Sequence, residues 1–260
     1  MVRFESDLAQ HWSLRKPAAE SSDGAIASQN AIAAEIGARV LRDGGNAVDA
    51  AIAASFSVSV VEPWMSGLGG GGYMLVYLAK ERRVRVIDFG MVAPKSLNPE
   101  DYPLVEGQGS GDLFQWPAVL DDRNVYGYHS IAVPTQVAGM ALAHKRFATK
   151  PWADLIAPAA DLADGGLPIN WFATLRITAA AKDLHKFHTS SDVYLDDGQA
   201  PTADQGKPVP RRSMGKLAST LRRLAKVGAR DFYEGAIAEK LVLDAEAGGN
   251  RMSAQDLAAV

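Results

Sequence analysis

Apolar and polar positions divide this chain into an early part that carries its predicted strands and a later part that reads almost wholly as helix. A first helix is predicted from about Gln29 to Arg42. Ile32, Ile36 and Val40 recur at i, i+4 and i+8 there and form one apolar stripe. Arg39 and Arg42 suit the negative end of its dipole, and Gly44-Gly45 supplies a stop. The next helix, 46–61, has no such stripe. No Lys or Arg interrupts 46–60, and a helix that is apolar nearly all round is a buried one. Asn46 with Asp49 three residues on resembles a capping arrangement. The apolar run is about fifteen residues long and contains Asp49, which makes it core and not a membrane span.

Residues 67–72 then place five glycines in six positions. Glycine is needed where φ is positive or where another backbone or a ligand comes close, so special backbone is expected here. A flexible turn is the plainer alternative. A phosphate cradle does not suit the context, because such loops run from a strand into a helix N-terminus and carry Gly-Lys-Ser/Thr or Gly-x-Gly-x-x-Gly. Here the order is helix, loop, strand, and no Lys follows. Tyr73–Tyr77 and Val84–Phe89 read as a hairpin around the polar turn Lys80-Glu81-Arg82-Arg83.

Further along, 94–127 reads as a long loop and His129–Val133 as a strand. Helices are predicted at Gln136–Phe147, Trp152–Ala163 (kinked or restarted at Pro158), Asn170–Leu184, Ser213–Val227 and Ala236–Ala247, with one more beginning at Met252–Leu257. Residues 1–24 and 189–211 read as irregular. Two or three strands are few for this length, and such a sheet is not expected to bury helix 46–61 unaided. More chain or a second chain is expected to complete it, and the bare fragment is expected to aggregate or seek a partner.

Composition narrows the function. The 260 residues allow one large domain, and 1–260 is taken as a single one. A net charge of −3 argues against nucleic acid as a partner. The absence of Cys removes thiolate chemistry and Cys-ligated metal. The five His, at 11, 129, 144, 185 and 188, show no metal spacing, and His185 with His188 reads as surface polarity. No apolar core of a secretory signal follows Met1, so a cytoplasmic location is expected, with the periplasm as alternative.

A set of ordered blocks goes further. Gly44-Gly45-Asn46-Ala47-Val48-Asp49, Val61-Glu62-Pro63 and Ser66-Gly67-Leu68-Gly69-Gly70-Gly71-Gly72 come first. Ile131–Pro134, Pro151–Gly165, Leu217–Arg222, Asp231–Gly235 and Met252–Ala258 follow in the same order. Together they resemble, across about 25–260, the N-terminal part of the large subunit of the γ-glutamyltranspeptidase family, in which cephalosporin-acylase-like and other amidohydrolase members stand beside the true γ-glutamyl enzymes. The resemblance implies an α/β fold, the αββα sandwich of the N-terminal-nucleophile hydrolases, to which this chain gives the helical layer and some strands. It also implies a precursor that cuts itself in front of a Thr, whose freed amine and hydroxyl then act on an amide. That Thr is expected after residue 260. Thr135, Thr149, Thr174, Thr178, Thr189, Thr202 and Thr220 lack the cleavage context, so no catalytic residue is expected within this chain.

The implied partners are the small, nucleophile-bearing subunit of the same precursor and a small-molecule amide. A dimer of heterodimers is compatible, and no cofactor, metal, nucleic acid or membrane is implied. One departure stands out. Family members acting on γ-glutamyl groups read Asp-Gly-Arg-Glu after the hairpin, the Arg pairing with the substrate α-carboxylate. This chain reads Asp88-Phe89-Gly90-Met91, with Gly90 at the Arg position and Met91 at the Glu position. Phe89, Gly90 and Met91 are therefore the candidate substrate-binding residues, and an amide other than glutathione is the expected substrate. The alternative is a non-catalytic truncated or degenerate paralogue that only binds.

Overall fold

The computed structural model describes residues 18, 20–111, 113–204 and 206–260. The polar stretch up to residue 17, with His11 and the segment considered for a signal, lies outside the described residues.

Helix α1 (Ala31–Arg42) and helix α2 (Ala47–Val61) form the expected helical hairpin, and strands β1 (Gly72–Leu78) and β2 (Arg83–Phe89) pair antiparallel. The segment expected to be a long loop contains two further short strands, β3 (Leu104–Gly109) and β4 (Pro117–Val119), paired with a register shift between Leu104 and Gly109. Its first part is pinned to the body at two points. The Lys95 N–H donates to Asp256 at 3.0 Å, and the Tyr102 hydroxyl donates to the His129 carbonyl at 2.8 Å. His129 to Val133 is no strand: Tyr128–Ser130 is a 3₁₀ turn, and only Val133 bridges, to Val92.

Helices α3 (Gln136–Phe147) and α4 (Trp152–Gly165) follow, the second running unbroken through Pro158 and ending at Gly166, whose φ is 81°. Strand β5 (Leu167–Pro168), helix α5 (Trp171–Leu184) and helix α6 (His188–Tyr194) come next, then strand β6 (Arg211–Arg212), which pairs with β5. The irregular reading of 189–211 thus misses most of α6. His185 and His188 do not share a helix: His185 caps α5 and reaches the Gly198 carbonyl at 2.7 Å, while His188 opens α6. Helix α7 (Leu217–Val227) starts later than the expected Ser213. Helices α8 (Asp231–Glu234), α9 (Ala236–Ala247) and α10 (Ala254–Ala258) complete the described chain. No helix among the described residues is long and apolar enough to cross a membrane.

Helix α2 is the centre. Ile52, Ala53, Phe56 and Val60 are almost wholly buried, packed by α1 and α4 on two sides and by α3 towards the hairpin. Its cover within this chain comes from helices more than from a sheet, and Ala51, Ala54, Ser55 and Val58 along one side stay only half-buried. Its serines satisfy themselves: Ser57 donates to the Ala53 carbonyl and Ser59 to that of Ser55. What stays bare is the hairpin. Val76, Ile87 and Phe89 face the helices, while Tyr73, Leu75, Tyr77, Val84 and Val86 stand on the other face, each more than half exposed. A smaller apolar cluster of Leu167, Ile169, Ile177 and Leu195 lies beneath α5.

The start of α2 is fixed by one carboxylate. Asn46 and Asp49 form the capping box. Asp49 Oδ2 accepts from the Asn46 N–H at 2.8 Å and the Thr149 hydroxyl at 2.6 Å. Its Oδ1 accepts from the N–H groups of Thr149 and Lys150 at 2.9 and 3.0 Å. Burial pushes the Asp49 carboxyl up, but the bonds from Thr149, Lys150 and Asn46 together outweigh it and hold it below the usual aspartate value.

Asp49→Asn is expected to destabilise the fold by about 3 kcal/mol, since an amide nitrogen then meets donors. Urea unfolding of the two proteins measures this. Because the folded value is depressed, the contribution of Asp49 is present above about pH 4 and is lost as pH falls through the folded value. Between about pH 5 and pH 3 the parent is expected to lose more stability than the Asn variant.

Candidate functional site

Three segments meet at the end of β2: the glycine loop, the strand end at Phe89–Met91, and the start of α3. The glycine loop does so without a single left-handed residue, for no glycine from Gly67 to Gly72 has a positive φ. Close approach is the reason for glycine at Gly71. A Cβ there would lie 2.6 Å from the Phe89 carbonyl oxygen and 2.7 Å from Thr135 Oγ1, whereas one at Gly69 would meet nothing within 4 Å. The Gly70 carbonyl accepts two bonds, from the N–H groups of Thr135 and Gln136, at 3.0 and 2.9 Å.

Thr135 is the residue before α3, a position where its hydroxyl would ordinarily cap the helix. Here that hydroxyl donates to the Phe89 carbonyl instead. The helix start is served by Tyr233, whose hydroxyl accepts from the Ala138 N–H at 2.9 Å. Burial pushes the Tyr233 phenol up to about 12. Strand end, loop and helix are thus tied by the Gly70 carbonyl and the Thr135 and Tyr233 hydroxyls.

The three candidate residues sit differently on this junction. Phe89 is buried, its ring against α3: a Cβ added at Gly139 would fall 2.2 Å from it. Its side chain therefore belongs to the core, and only its backbone is at the surface of the junction. Met91 is 55% exposed. Gly90 is half-buried in a turn closed by its own N–H, which donates to Asp88 Oδ1 at 2.9 Å. A side chain at 90 would begin 3.3 Å from that same oxygen and 3.3 Å from the Tyr73 hydroxyl.

Tyr73 and Asp88 face each other across the hairpin and share its open side. They are the site neighbours that the sequence pattern does not single out. A signal for them exists, since fixing the turn at residues 79–82 pairs 73 with 88. The hairpin arginines do not restore a cation there. Arg83 and Arg85 share the pleat side of Ile87 and Phe89, opposite to Asp88, and Arg85 is engaged with Glu81 at 3.3 Å. Arg82 lies in the turn at φ 48°. Beyond the loop, Leu68, Gly69, Ile131, Lys216, Lys240 and Asp244 are among the residues around a separate cleft of about 1020 Å³, which none of Phe89, Gly90 and Met91 lines.

Known proteins match this chain over most of its length. The family model described as Gamma-glutamyltranspeptidase matches residues 33–260. The glutathione hydrolase proenzyme of Pseudomonas sp. (strain A14) is 32% identical over 238 residues, 91% of this chain and 39% of that protein. The crystal structure of Helicobacter pylori γ-glutamyltranspeptidase superposes with a TM-score of 0.81 at 29% identity, over 93% of this chain and 65% of that one. The cephalosporin acylase of Bacillus halodurans, 23% identical, shares the fold with a TM-score of 0.79 over 97% of this chain and 45% of its own. The chain belongs to the γ-glutamyltranspeptidase family. Its α/β fold is that of these N-terminal-nucleophile hydrolases. It spans about two fifths of the length of the curated relatives it matches.

The glycine run yields a test. Gly71→Ala is expected to cost about 2 kcal/mol or more, because its Cβ would press on backbone that cannot move. Gly69→Ala is expected to stay within about 0.5 kcal/mol. Melting temperatures of the two variants separate the positions; equal losses would mean that the run works as a unit.

Proposed function

We propose that this chain is the large-subunit part of a self-processing amide hydrolase or acyltransferase whose Thr nucleophile follows residue 260. Its substrate is an amide other than glutathione. The observation that carries the substrate reading is the setting of Gly90. A carboxylate and a phenol flank it, and no guanidinium on the hairpin shares their side of the sheet. An α-carboxylate brought to this point would meet Asp88 instead of a cation, a pairing of like charges that disfavours binding. A neutral acyl group, or one with a donor, suits it better.

The partner reading rests on the hairpin's open face. Tyr73, Leu75, Tyr77, Val84 and Val86 form one exposed apolar surface, and among the described residues β1 and β2 pair only with each other. A surface of this kind calls for cover, and unpaired strand edges accept further strands. The nucleophile-bearing subunit supplies both in this reading.

Two measurements test it. Full-length protein, purified and run on a denaturing gel, is expected to give two polypeptides from one precursor; a single uncut chain with no activity on any amide favours the non-catalytic alternative. With a γ-glutamyl anilide, the parent is expected to turn over poorly and Gly90→Arg to raise kcat/KM about tenfold or more, through a restored charge-assisted pair. A parent as active on that anilide as the Arg variant would sink the substrate reading.

A further inference from the structure

The open face of the hairpin carries one charge, and its position bears on what the site beside Gly90 accepts. Strand pairing sets Tyr73 opposite Asp88, Leu75 opposite Val86 and Tyr77 opposite Val84. Alternation along each strand puts these six side chains on one side of the sheet. Five of the six are aromatic or aliphatic, and the sixth is the Asp88 carboxylate, at the end of the hairpin where Gly90 follows. Arg83 and Arg85 stand on the opposite side. Lys80 and Arg82 belong to the turn, about 17 Å along the strand from Asp88.

Asp88 makes a single bond within the chain. Its Oδ1 accepts from the Gly90 N–H at 2.9 Å, and no cation pairs with it among the described residues. Gly90 leaves room above that bond. A Cβ at position 90 would begin 3.3 Å from Asp88 Oδ1 and 3.3 Å from the Tyr73 hydroxyl oxygen, with the ring carbon Cζ of Tyr73 at 3.8 Å. Two oxygens and an aromatic ring thus converge on the space that a side chain at 90 would enter, and glycine brings no cation of its own to it.

The chain by itself leaves Asp88 exposed to water. In the proposed enzyme the nucleophile-bearing subunit covers the face on which Asp88 stands, and the acyl group lies at its end. A carboxylate taken out of water is retained only with a cation beside it. An ammonium group suits the space over Gly90. It has donors for both oxygens, and a cation is attracted to the face of a phenol ring.

We propose that Asp88 determines the specificity of this site and that the acyl group it selects carries an ammonium beside Gly90. The inference rests on the amide-hydrolase reading and names its substrate class: amides of ω-amino acids, of which 4-aminobutyryl, a γ-glutamyl group without its α-carboxylate, is the simplest probe. The ammonium pairs with the Asp88 carboxylate and gives a second bond to the Tyr73 hydroxyl oxygen.

The test uses full-length protein and three anilides that differ in the acyl end: 4-aminobutyryl, butyryl and γ-glutamyl. Hydrolysis adds water across the amide and releases the aniline that is read and the free acid. The parent is expected to favour 4-aminobutyryl over butyryl by about tenfold or more in kcat/KM. Asp88→Asn keeps an oxygen for the Gly90 N–H and removes the charge. It is expected to melt with the parent and to lower that ratio about tenfold, whereas a merely structural role would lower both rates and leave the ratio unchanged. Where neither anilide is turned over, calorimetric titration with 4-aminobutyramide and butyramide decides. The parent is expected to hold the first about tenfold tighter, and Asp88→Asn to hold the two alike. Equal treatment of the two acyl groups by the parent overturns the proposal, and is the result expected if a cation of the other subunit takes Asp88. A preference that Asp88→Asn leaves intact overturns it too. Poor turnover of the γ-glutamyl anilide with no preference between the other two removes this inference and leaves the substrate reading. Ready turnover of the γ-glutamyl anilide with an Asp88-dependent preference does the reverse, so the two fail separately.

Discussion

The Asp49 carboxylate is the constraint from which the rest of the arrangement follows. It is wholly buried, yet every one of its hydrogen-bond partners is a donor: the cap of its own helix on one side, and the hydroxyl and backbone of residues 149–150 on the other. A buried charge is tolerated only when it is satisfied in this way. The consequence is geometric. The start of the central helix is bound to the connection between α3 and α4, 100 residues further along the chain. The Asn46 side chain adds to the tie by donating to the Phe147 carbonyl at 2.7 Å. Once α2 is placed against α3 and α4, its direction decides where the glycine loop emerges.

That loop transmits the placement to the strand end through backbone groups and the Thr135 hydroxyl. The Gly70 carbonyl receives the first N–H groups of α3, and Gly71 lets the Phe89 carbonyl and the Thr135 hydroxyl approach one another. A helix whose own N-cap candidate is diverted to another strand needs a substitute, and Tyr233 provides it from α8. The junction beside Gly90 is therefore held by groups from four parts of the chain. The open side is left to Tyr73 and Asp88.

Elements with a repeating pattern are legible in the sequence alone. The stripe of Ile32, Ile36 and Val40, the Asn46–Asp49 box and the helices 136–147 and 236–247 lie where the pattern puts them, and the hairpin turn expected at 80–83 falls one residue earlier, at 79–82. The elements that the pattern misses are short or lack a period. Helix α6 opens His-Thr-Ser-Ser-Asp, a sequence that suits a turn as well as a helix, and its Asp192 and Val193 carbonyls are taken by the Arg212 guanidinium from β6. Residues 129–133 are apolar enough for a strand, but only Val133 finds a partner. The glycine run suggests unusual torsion, yet it serves close approach at Gly71 and meets nothing within reach at Gly69, because backbone proximity depends on chain far away in sequence.

The sequence by itself determined the helical periods, the capping chemistry, the strand hairpin, the family and the glycine at position 90. Each of these depends on residues close together in the chain or on the identity of a single one. Only the tertiary structure decided that helices more than a sheet pack around α2, that the hairpin leaves one apolar face bare, and that Phe89 turns inward while Asp88 and Tyr73 flank Gly90. These are relations between distant segments. They follow from which surfaces end up in contact when apolar area is buried and polar groups are matched, and local propensity carries no record of that outcome.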